Sequence, residues 1–165
     1  MTQNHSRGYL NSGQYEIVAL ADLSKQVMDE YDEAFAEYDD YKAEHFTDFR
    51  EMLQTAKPDI VSIGVWHSGH APMTVAAAAA GGGKAILCEK PMADSLAAAA
   101  NMLMVCERNN VKLVIGHQRR FLPAYTLAKK MIEDGEIGDV RLITSVAGDG
   151  LPNYASHQTD MFRYL

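Results

Sequence analysis

A lysine stands where an apolar segment of the chain stops. Lys90 follows residues 85–88, a run that favours a buried β-strand, and it precedes Pro91. Proline disfavours the helical conformation in the residue before it, so Lys90 is expected in an extended turn. Open α/β sheets bind their ligands at the carboxyl ends of the strands. The amine of Lys90 is therefore expected at the edge of the sheet where ligands bind; the alternative is an ordinary surface lysine.

An acid closes the first apolar run of the chain. Asp22 ends segment 15–22, and Ser24 can cap the helix that follows. In a dinucleotide-binding sheet an acid at this point accepts hydrogen bonds from the adenosine ribose. It would also repel a ribose 2′-phosphate, which favours NAD over NADP. The alternative is an acid that only stabilises the N-terminus of a helix.

Metal and disulfide chemistry find little support in the sequence. His67 and His70 have a spacing that zinc ligands can have, but no third ligand is apparent, and we expect no metal. Cys88 and Cys106 are too few for a disulfide framework and match no metal-binding spacing. Both are expected to be small buried hydrophobic residues.

The elements that would position these residues alternate between strand and helix. Strands are predicted for the apolar segments 15–22, 59–65, 85–88, 111–116 and 140–146. Apolar residues at helical spacing fill the intervals, and a last helix is predicted from about residue 154. This alternation predicts an α/β fold, a doubly wound parallel sheet of the Rossmann type.

Composition narrows the classes of partner. The 165 residues are 47% hydrophobic, which allows a real core, and their formal net charge is −7. Nucleic acids and anionic membranes both attract basic surfaces, so neither is expected as a partner. The sequence has no signal-peptide pattern and no segment apolar enough to span a bilayer. A soluble cytoplasmic protein is expected.

A phosphate-binding glycine loop is missing from its expected place. The G-x-G-x-x-G pattern should precede the ribose-binding acid by about 20 residues, and Gly8 and Gly13 do not have its spacing. We therefore expect the first strand and the glycine loop of the fold to lie before Met1. Without that central strand two apolar sheet edges are left unpaired, so the polypeptide alone is predicted to be unstable.

Six ordered segments of the chain resemble the Gfo/Idh/MocA oxidoreductases, which include glucose–fructose oxidoreductase and inositol dehydrogenases. They are A-L-A-D at 19–22, V-W-H-S-G-H at 65–70, K-A-I-L-C-E-K-P-M at 84–92, G-H-Q-R-R-F-L-P at 116–123, G-E-I-G-D-V at 135–140 and H-Q-T-D at 157–160. Residues 5–9 also resemble the tail of the family's first helix. The resemblance implies hydride transfer between a nicotinamide cofactor, NAD more than NADP, and a sugar or polyol carbon.

The resemblance also implies roles for particular residues. Lys90 and His157 would share proton transfer at the substrate hydroxyl. Asn153 stands where many members have an aspartate, and an asparagine can bind a hydroxyl but cannot take a proton. Glu89 is expected to orient the lysine turn, and Asp160 to be structural. The residues expected beside the cofactor are Asp22, Val65, Trp66, His67, His70, Glu89, Lys90, His117 and Arg120.

Two domains are expected. Residues 1–118 would form an NAD(P)-binding Rossmann domain that is incomplete at its N-terminus, and residues 119–165 the beginning of a second domain for substrate and subunit contacts. The chain would then be an inactive fragment of a dehydrogenase whose parent is a homo-oligomer. The alternatives are a non-catalytic nucleotide-binding regulator, which Asn153 favours, and an inactive truncated product.

Overall fold

The computed structural model describes residues 2–81, 83–146 and 151–165. Helices and strands alternate along these residues. The helices are α1 Thr2–Ser12, α2 Lys25–Phe35, α3 Phe49–Thr55, α4 His67–Ala79, α5 Leu96–Arg108, α6 Pro123–Glu133 and α7 Leu151–Tyr164, with a short 3-10 helix, Gln118–Phe121, before α6. The strands are β1 Ile17–Ala21, β2 Tyr41–Phe46, β3 Ile60–Ile63, β4 Ala85–Cys88 and β5 Lys112–Ile115.

The strands form two parallel groups. β1 pairs with β2, and β4 lies between β3 and β5. Ile60 of β3 lies opposite Ala85 of β4, and the register continues to Ile63 opposite Cys88. Parallel strands joined by helices define an α/β fold, so the predicted fold class is confirmed.

The edge strand β2 was not predicted. Its sequence, Tyr-Lys-Ala-Glu-His-Phe, alternates polar and apolar residues, and its side chains alternate between exposed and more buried positions until the buried Phe46. This is the pattern of a strand with one solvated face. The mostly apolar runs of β1 and β3 lack this alternation and were therefore easier to recognise from the sequence.

Buried side chains form two clusters. Ile86 of β4 packs with Met102 of α5 and Ala78 of α4, and the last two are fully buried. A smaller cluster joins Leu10 of α1 to Phe35 of α2 over the β1–β2 pair. Among the described residues, no helix is long and apolar enough to cross a membrane.

An open groove separates the two groups of strands. In the described parts of the chain, β1 pairs only with β2 and β3 only with β4. Residues 17–21 and 60–63 both line a cavity of about 880 Å³ between them. This strand groove therefore lies between two β-strands that each have an unpaired edge.

The predicted strand at residues 140–146 is wrong. These residues have no regular structure, and the side chains of Leu142 and Val146 are 79% and 99% exposed. A β-strand needs a neighbour to receive its backbone hydrogen bonds. No such neighbour lies beside this segment in the parts of the chain that the structure describes.

Candidate active site

The candidate residues follow the strands at their carboxyl ends. Asp22 comes directly after β1, residues 64–66 after β3, Glu89 and Lys90 after β4, and residues 116–117 after β5. β3, β4 and β5 are parallel neighbours, so their carboxyl ends meet at one edge. Ala21 and Asp22 line the same cavity as Gly64 and Val65, which brings the end of β1 beside this edge.

Lys90 is not a surface lysine. Only 8% of the residue is exposed, and its backbone N–H donates a hydrogen bond to Oε2 of Glu89 at 3.1 Å. The Lys90–Pro91 peptide bond is cis. A lysine amine is rarely buried in a protein without a partner or a function. The alternative of an ordinary exposed lysine is therefore excluded.

The carboxylate of Glu89 is buried and well partnered. Oε1 receives a hydrogen bond from Nε2 of His5 at 3.1 Å, and Oε2 receives the one from the Lys90 backbone. Burial raises the pKa of Glu89, but the two hydrogen bonds and the nearby positive charges outweigh burial and hold that pKa below its usual value. Glu89 is therefore an anion that accepts hydrogen bonds.

His157 lies in α7 and reaches the same region. The residue is only 7% exposed, and its ring lies 6.2 Å from that of His117, edge to face. Burial, together with the positive charges of Arg119 and Lys90, lowers the pKa of His157. The pKa of His117 is lowered mainly by burial as well, and the Asp160 charge opposes that shift. Both rings are therefore neutral at neutral pH, and a neutral imidazole can accept a proton.

Arg120 is held by an acid on α7. Its Nε donates to Oδ2 of Asp160 at 2.8 Å and its Nη2 to Oδ1 at 2.5 Å, so the pair is bidentate. The hydrogen bonds from Arg120 lower the pKa of Asp160. Asp160 is 8% exposed, whereas the Arg120 side chain is 44% exposed. The pair ties α7 to the 3-10 helix, which is the structural role that was expected of Asp160.

The loop after β3 contains one exposed ring and one buried ring. Trp66 is 76% exposed and precedes α4, with the half-buried ring of His67 4.9 Å away. His70 is 1% exposed, and its Nδ1 and Nε2 lie 2.7 Å and 3.0 Å from the carbonyl oxygens of Pro91 and Val65. Trp66 is free to stack on a ligand, whereas His70 ties the β3 loop to the β4 loop. Its expected contact with the cofactor would be indirect.

The carboxylate of Asp22 has one oxygen that is available to a ligand. Oδ1 accepts a hydrogen bond from the backbone of Ser24 at 2.8 Å, and Oδ2 has no protein donor among the described residues. The residue is exposed at the end of β1. Ser24 caps α2 through its side chain, as predicted. The arrangement fits a ribose whose hydroxyls donate to Oδ2.

Three histidine nitrogens are buried and have no hydrogen-bond partner among the described residues: Nδ1 of His5, of His117 and of His157. Those of His117 and His157, whose rings are neighbours, fit a polar ligand. Buried polar atoms in proteins nearly always have a partner. These nitrogens are available to a polar ligand. The phosphate groups of a dinucleotide would find no glycine loop in these 165 residues, which contain no G-x-G-x-x-G pattern. The side chain of Asn153 lies outside the described residues.

Other candidate ligands for a metal are engaged in the protein. Asp29, Asp32 and His45 hold ligand atoms within 4.8 Å of one another. However, Oδ1 of Asp32 already accepts hydrogen bonds from Tyr41 and from His45, so an internal network accounts for the cluster. Burial raises the pKa of the Cys88 thiol to about 11, which keeps it protonated.

One residue of this region was not singled out in the sequence. His5 was expected only as part of a helix tail, and it is indeed in α1. Its contact with Glu89 joins two residues that are far apart in the chain. The sequence carries no local pattern that would have indicated this pairing.

The fold and the strand-end residues define a nucleotide-binding domain of the Rossmann class. Residues 1–117 match the model of an oxidoreductase family with an NAD-binding Rossmann fold, and the chain belongs to that family. The family is the Gfo/Idh/MocA family that the six segments resemble.

Named relatives show the range of the family. The chain is 32% identical over 141 residues to levoglucosan dehydrogenase of Pseudarthrobacter phenanthrenivorans, covering 72% of this chain and 36% of that protein. It is 39% identical over 67 residues to inositol 2-dehydrogenase of Rhizobium meliloti, covering 41% of this chain and 20% of that protein.

Solved structures share the fold. Scyllo-inositol dehydrogenase from Lactobacillus casei, with bound NAD(H) and scyllo-inositol, matches with a TM-score of 0.76 and 23% identity. The match covers 90% of this chain and 47% of that one. The chain thus spans less than half the length of each of these three proteins.

Proposed function

We propose that the chain is part of an NAD-dependent dehydrogenase that moves a hydride between the cofactor and a carbon of a sugar or polyol. The observation that carries the proposal is the burial of a lysine and a histidine, Lys90 and His157, beside the carboxyl edge of a parallel sheet. Membership of an NAD-binding oxidoreductase family supports it. So does the occurrence of sugar and polyol dehydrogenases among the relatives.

In this proposal side chains of the protein accept the proton of the substrate hydroxyl, and the cofactor accepts the hydride. The substrate hydroxyl has to lose its proton as the carbon gives up hydride. Lys90 and His157 share the transfer of that proton, and burial keeps the His157 imidazole neutral so that it can accept it. Asn153 would bind a second hydroxyl without taking part in the proton transfer. The carboxylate of Asp22 would bind the adenosine ribose and disfavour NADP.

We further propose that residues 1–118 belong to the nucleotide domain and that residues 119–165 begin a second domain. The strand groove supports the view that the nucleotide domain is completed by a further strand. In the complete protein the second domain would complete the substrate pocket and the subunit contacts of a homo-oligomer. The protein would act on small molecules in the cytoplasm.

The test uses the complete polypeptide encoded by the gene that contains this sequence. Purified protein with NAD⁺ and a panel of sugars and inositols should form NADH, followed at its absorbance. Lys90→Met and His157→Gln should each lower kcat on the order of 100-fold or more, as expected for removal of a proton-transfer group. Lys42→Met is the matched control, because the Lys42 side chain is 66% exposed and, among the described residues, forms its ion pair with Glu16 at the surface.

Cofactor choice is measured on the same protein. Asp22→Ala should weaken NADH binding and raise the relative affinity for NADPH, measured by fluorescence titration. Tighter binding of NADPH than of NADH by the unmodified protein would contradict the role of Asp22. Tight NADH binding without turnover on any polyol would instead support the non-catalytic regulator.

A further inference from the structure

His5 connects the first helix to the turn that contains Lys90. The imidazole Nε2 lies 3.1 Å from Oε1 of Glu89, and the two side chains are 14% and 8% exposed. Glu89 is an anion and can only accept hydrogen bonds, so Nε2 of His5 must be the donor. The contact therefore fixes the position of the carboxylate.

Both oxygens of the Glu89 carboxylate are bound by donors from different parts of the fold. Oε1 is bound by His5 of α1, and Oε2 by the backbone N–H of Lys90 at 3.1 Å. Removing either donor would leave a buried charge short of a partner, which is costly in a protein interior. The carboxylate thus transmits the position of α1 to the backbone of Lys90.

Gly116 closes the third side of the carboxylate. A Cβ atom built on Gly116 would lie 3.4 Å from Cδ and from both oxygens of Glu89. The end of β5 therefore packs flat against Glu89 and limits the directions in which it can turn. Three elements, α1, β4 and β5, hold one carboxylate beside the candidate catalytic lysine.

We propose that His5 is a positioning residue, which holds Glu89 so that Glu89 in turn fixes the backbone of Lys90 for proton transfer. This inference rests on the proposed function. It assigns His5 no contact with substrate or cofactor. It predicts that the loss of His5 changes the chemical step more than the binding of NADH.

The test compares three variants of the complete polypeptide. His5→Leu removes the donor, whereas His5→Gln offers an amide N–H near the place of the imidazole Nε2. Ser6→Ala is the matched control, because Oγ of Ser6 makes a buried 2.7 Å hydrogen bond to Tyr31 from the same helix. It loosens α1 without touching Glu89.

His5→Leu is expected to lower kcat roughly 10- to 100-fold, the effect of a catalytic group displaced by about 1 Å. The Kd for NADH should stay within about twofold, because the proposed role lies in orientation and not in binding. His5→Gln should restore most of kcat, and Ser6→Ala should leave it nearly unchanged at a similar loss of Tm. Equal losses of kcat in His5→Leu and Ser6→Ala, or no recovery in His5→Gln, would overturn the proposal.

A measurement that does not depend on turnover completes the test. Hydrogen exchange at the Lys90 amide should be faster in His5→Leu than in the wild type and unchanged in Ser6→Ala. If His5→Leu does not fold, Glu89→Gln serves instead, with the same expected loss of kcat and faster exchange. An absence of turnover in the wild-type protein would contradict the proposed function. Normal turnover in the wild type and in His5→Leu would contradict the positioning role alone.

Discussion

Burial and hydrogen-bond donors together decide which polar residues of this site are charged. His117 and His157 are neutral because burial and neighbouring cations disfavour their charged forms, whereas Glu89 is charged because it has two donors. One buried region thus holds a carboxylate that stays ionised and imidazoles that stay neutral. A group that accepts protons has to be neutral, whereas the carboxylate that holds the Lys90 turn has to be charged, and this region contains both.

Acid should destabilise the fold through the two histidines. Their pKa values are lower in the folded state than the ordinary value of 6.5, so the unfolded chain binds more protons below that pH. The free energy of unfolding should therefore fall as the pH drops below about 6.5, and the carboxylates add to the loss at lower pH. Tm measured between pH 8 and pH 5 tests this. His157→Gln should reduce the pH dependence, and an unchanged slope would contradict the assignment.

The Arg120–Asp160 pair should stabilise α7 by a modest amount. Asp160→Asn is expected to cost roughly 1 to 2 kcal/mol, because a charge-assisted bidentate bond is lost. The cost stays in that range because Arg120 is 44% exposed and water can solvate its charge. Denaturant unfolding of the complete polypeptide measures it.

Asp29→Asn is the control for this pair, because the exposed Lys25–Asp29 pair should contribute little, about 0 to 0.5 kcal/mol. Equal costs in the two variants would show that the burial of Asp160 does not matter.

At the scale of elements, an added methyl group should destabilise the protein more at the end of β5 than in the middle of α1. Gly116→Ala would place a methyl group 3.4 Å from the Glu89 carboxylate, at the close limit of ordinary van der Waals contact. We expect a loss of about 1 kcal/mol, the lower end for overpacking. We also expect faster exchange at the Lys90 amide. Both are measured by denaturant unfolding and hydrogen exchange.

Gly8→Ala is the matched glycine control. Gly8 lies in α1, and a Cβ there would meet nothing within 4 Å. Alanine should stabilise the helix by roughly 0.5 to 1 kcal/mol because it costs less entropy to order. If both variants stabilised the protein equally, the close approach of β5 to Glu89 would not be significant.

The sequence predicted those elements whose patterns are local. β1, β3, β4 and β5 are mostly apolar runs, and Lys90 lies two residues after the end of β4, so the strand and its turn residue could be identified together. β2 was missed because its polar alternation resembles a loop. Residues 140–146 were wrongly assigned because an apolar run does not reveal whether a neighbouring strand is present. The His5–Glu89 contact could not be predicted, since it depends on how α1 packs and not on spacing.

At the scale of the whole molecule, the two strand groups are incompletely joined. The strand groove leaves backbone N–H and C=O groups on the facing edges of β1 and β3 without strand partners in the described residues. Unpaired apolar edges favour association with other chains. The domain should therefore gain more from one added strand than from improvement of any single side-chain contact.

Completion of the groove is expected to make the 165-residue chain fold cooperatively. Alone, the chain should unfold gradually on heating, with a weak near-UV signal, because the two strand groups share little backbone pairing. An N-terminal extension of about six β-branched apolar residues followed by G-x-G-x-x-G should supply a strand of typical length that ends in a phosphate-binding turn. A gain of several kcal/mol corresponds to a Tm increase on the order of 10 °C for a chain of this size.

The control extension has the same length but carries proline at its third and fifth positions, because proline cannot donate to a sheet. Only the first extension should produce a sharp transition in near-UV circular dichroism, and only this form should bind NADH more tightly than the unextended chain does. A cooperative transition of the unextended chain, with Tm unchanged by either extension, would show that the groove does not limit stability. Equal gains from both extensions would mean that added length, and not strand pairing, fills it.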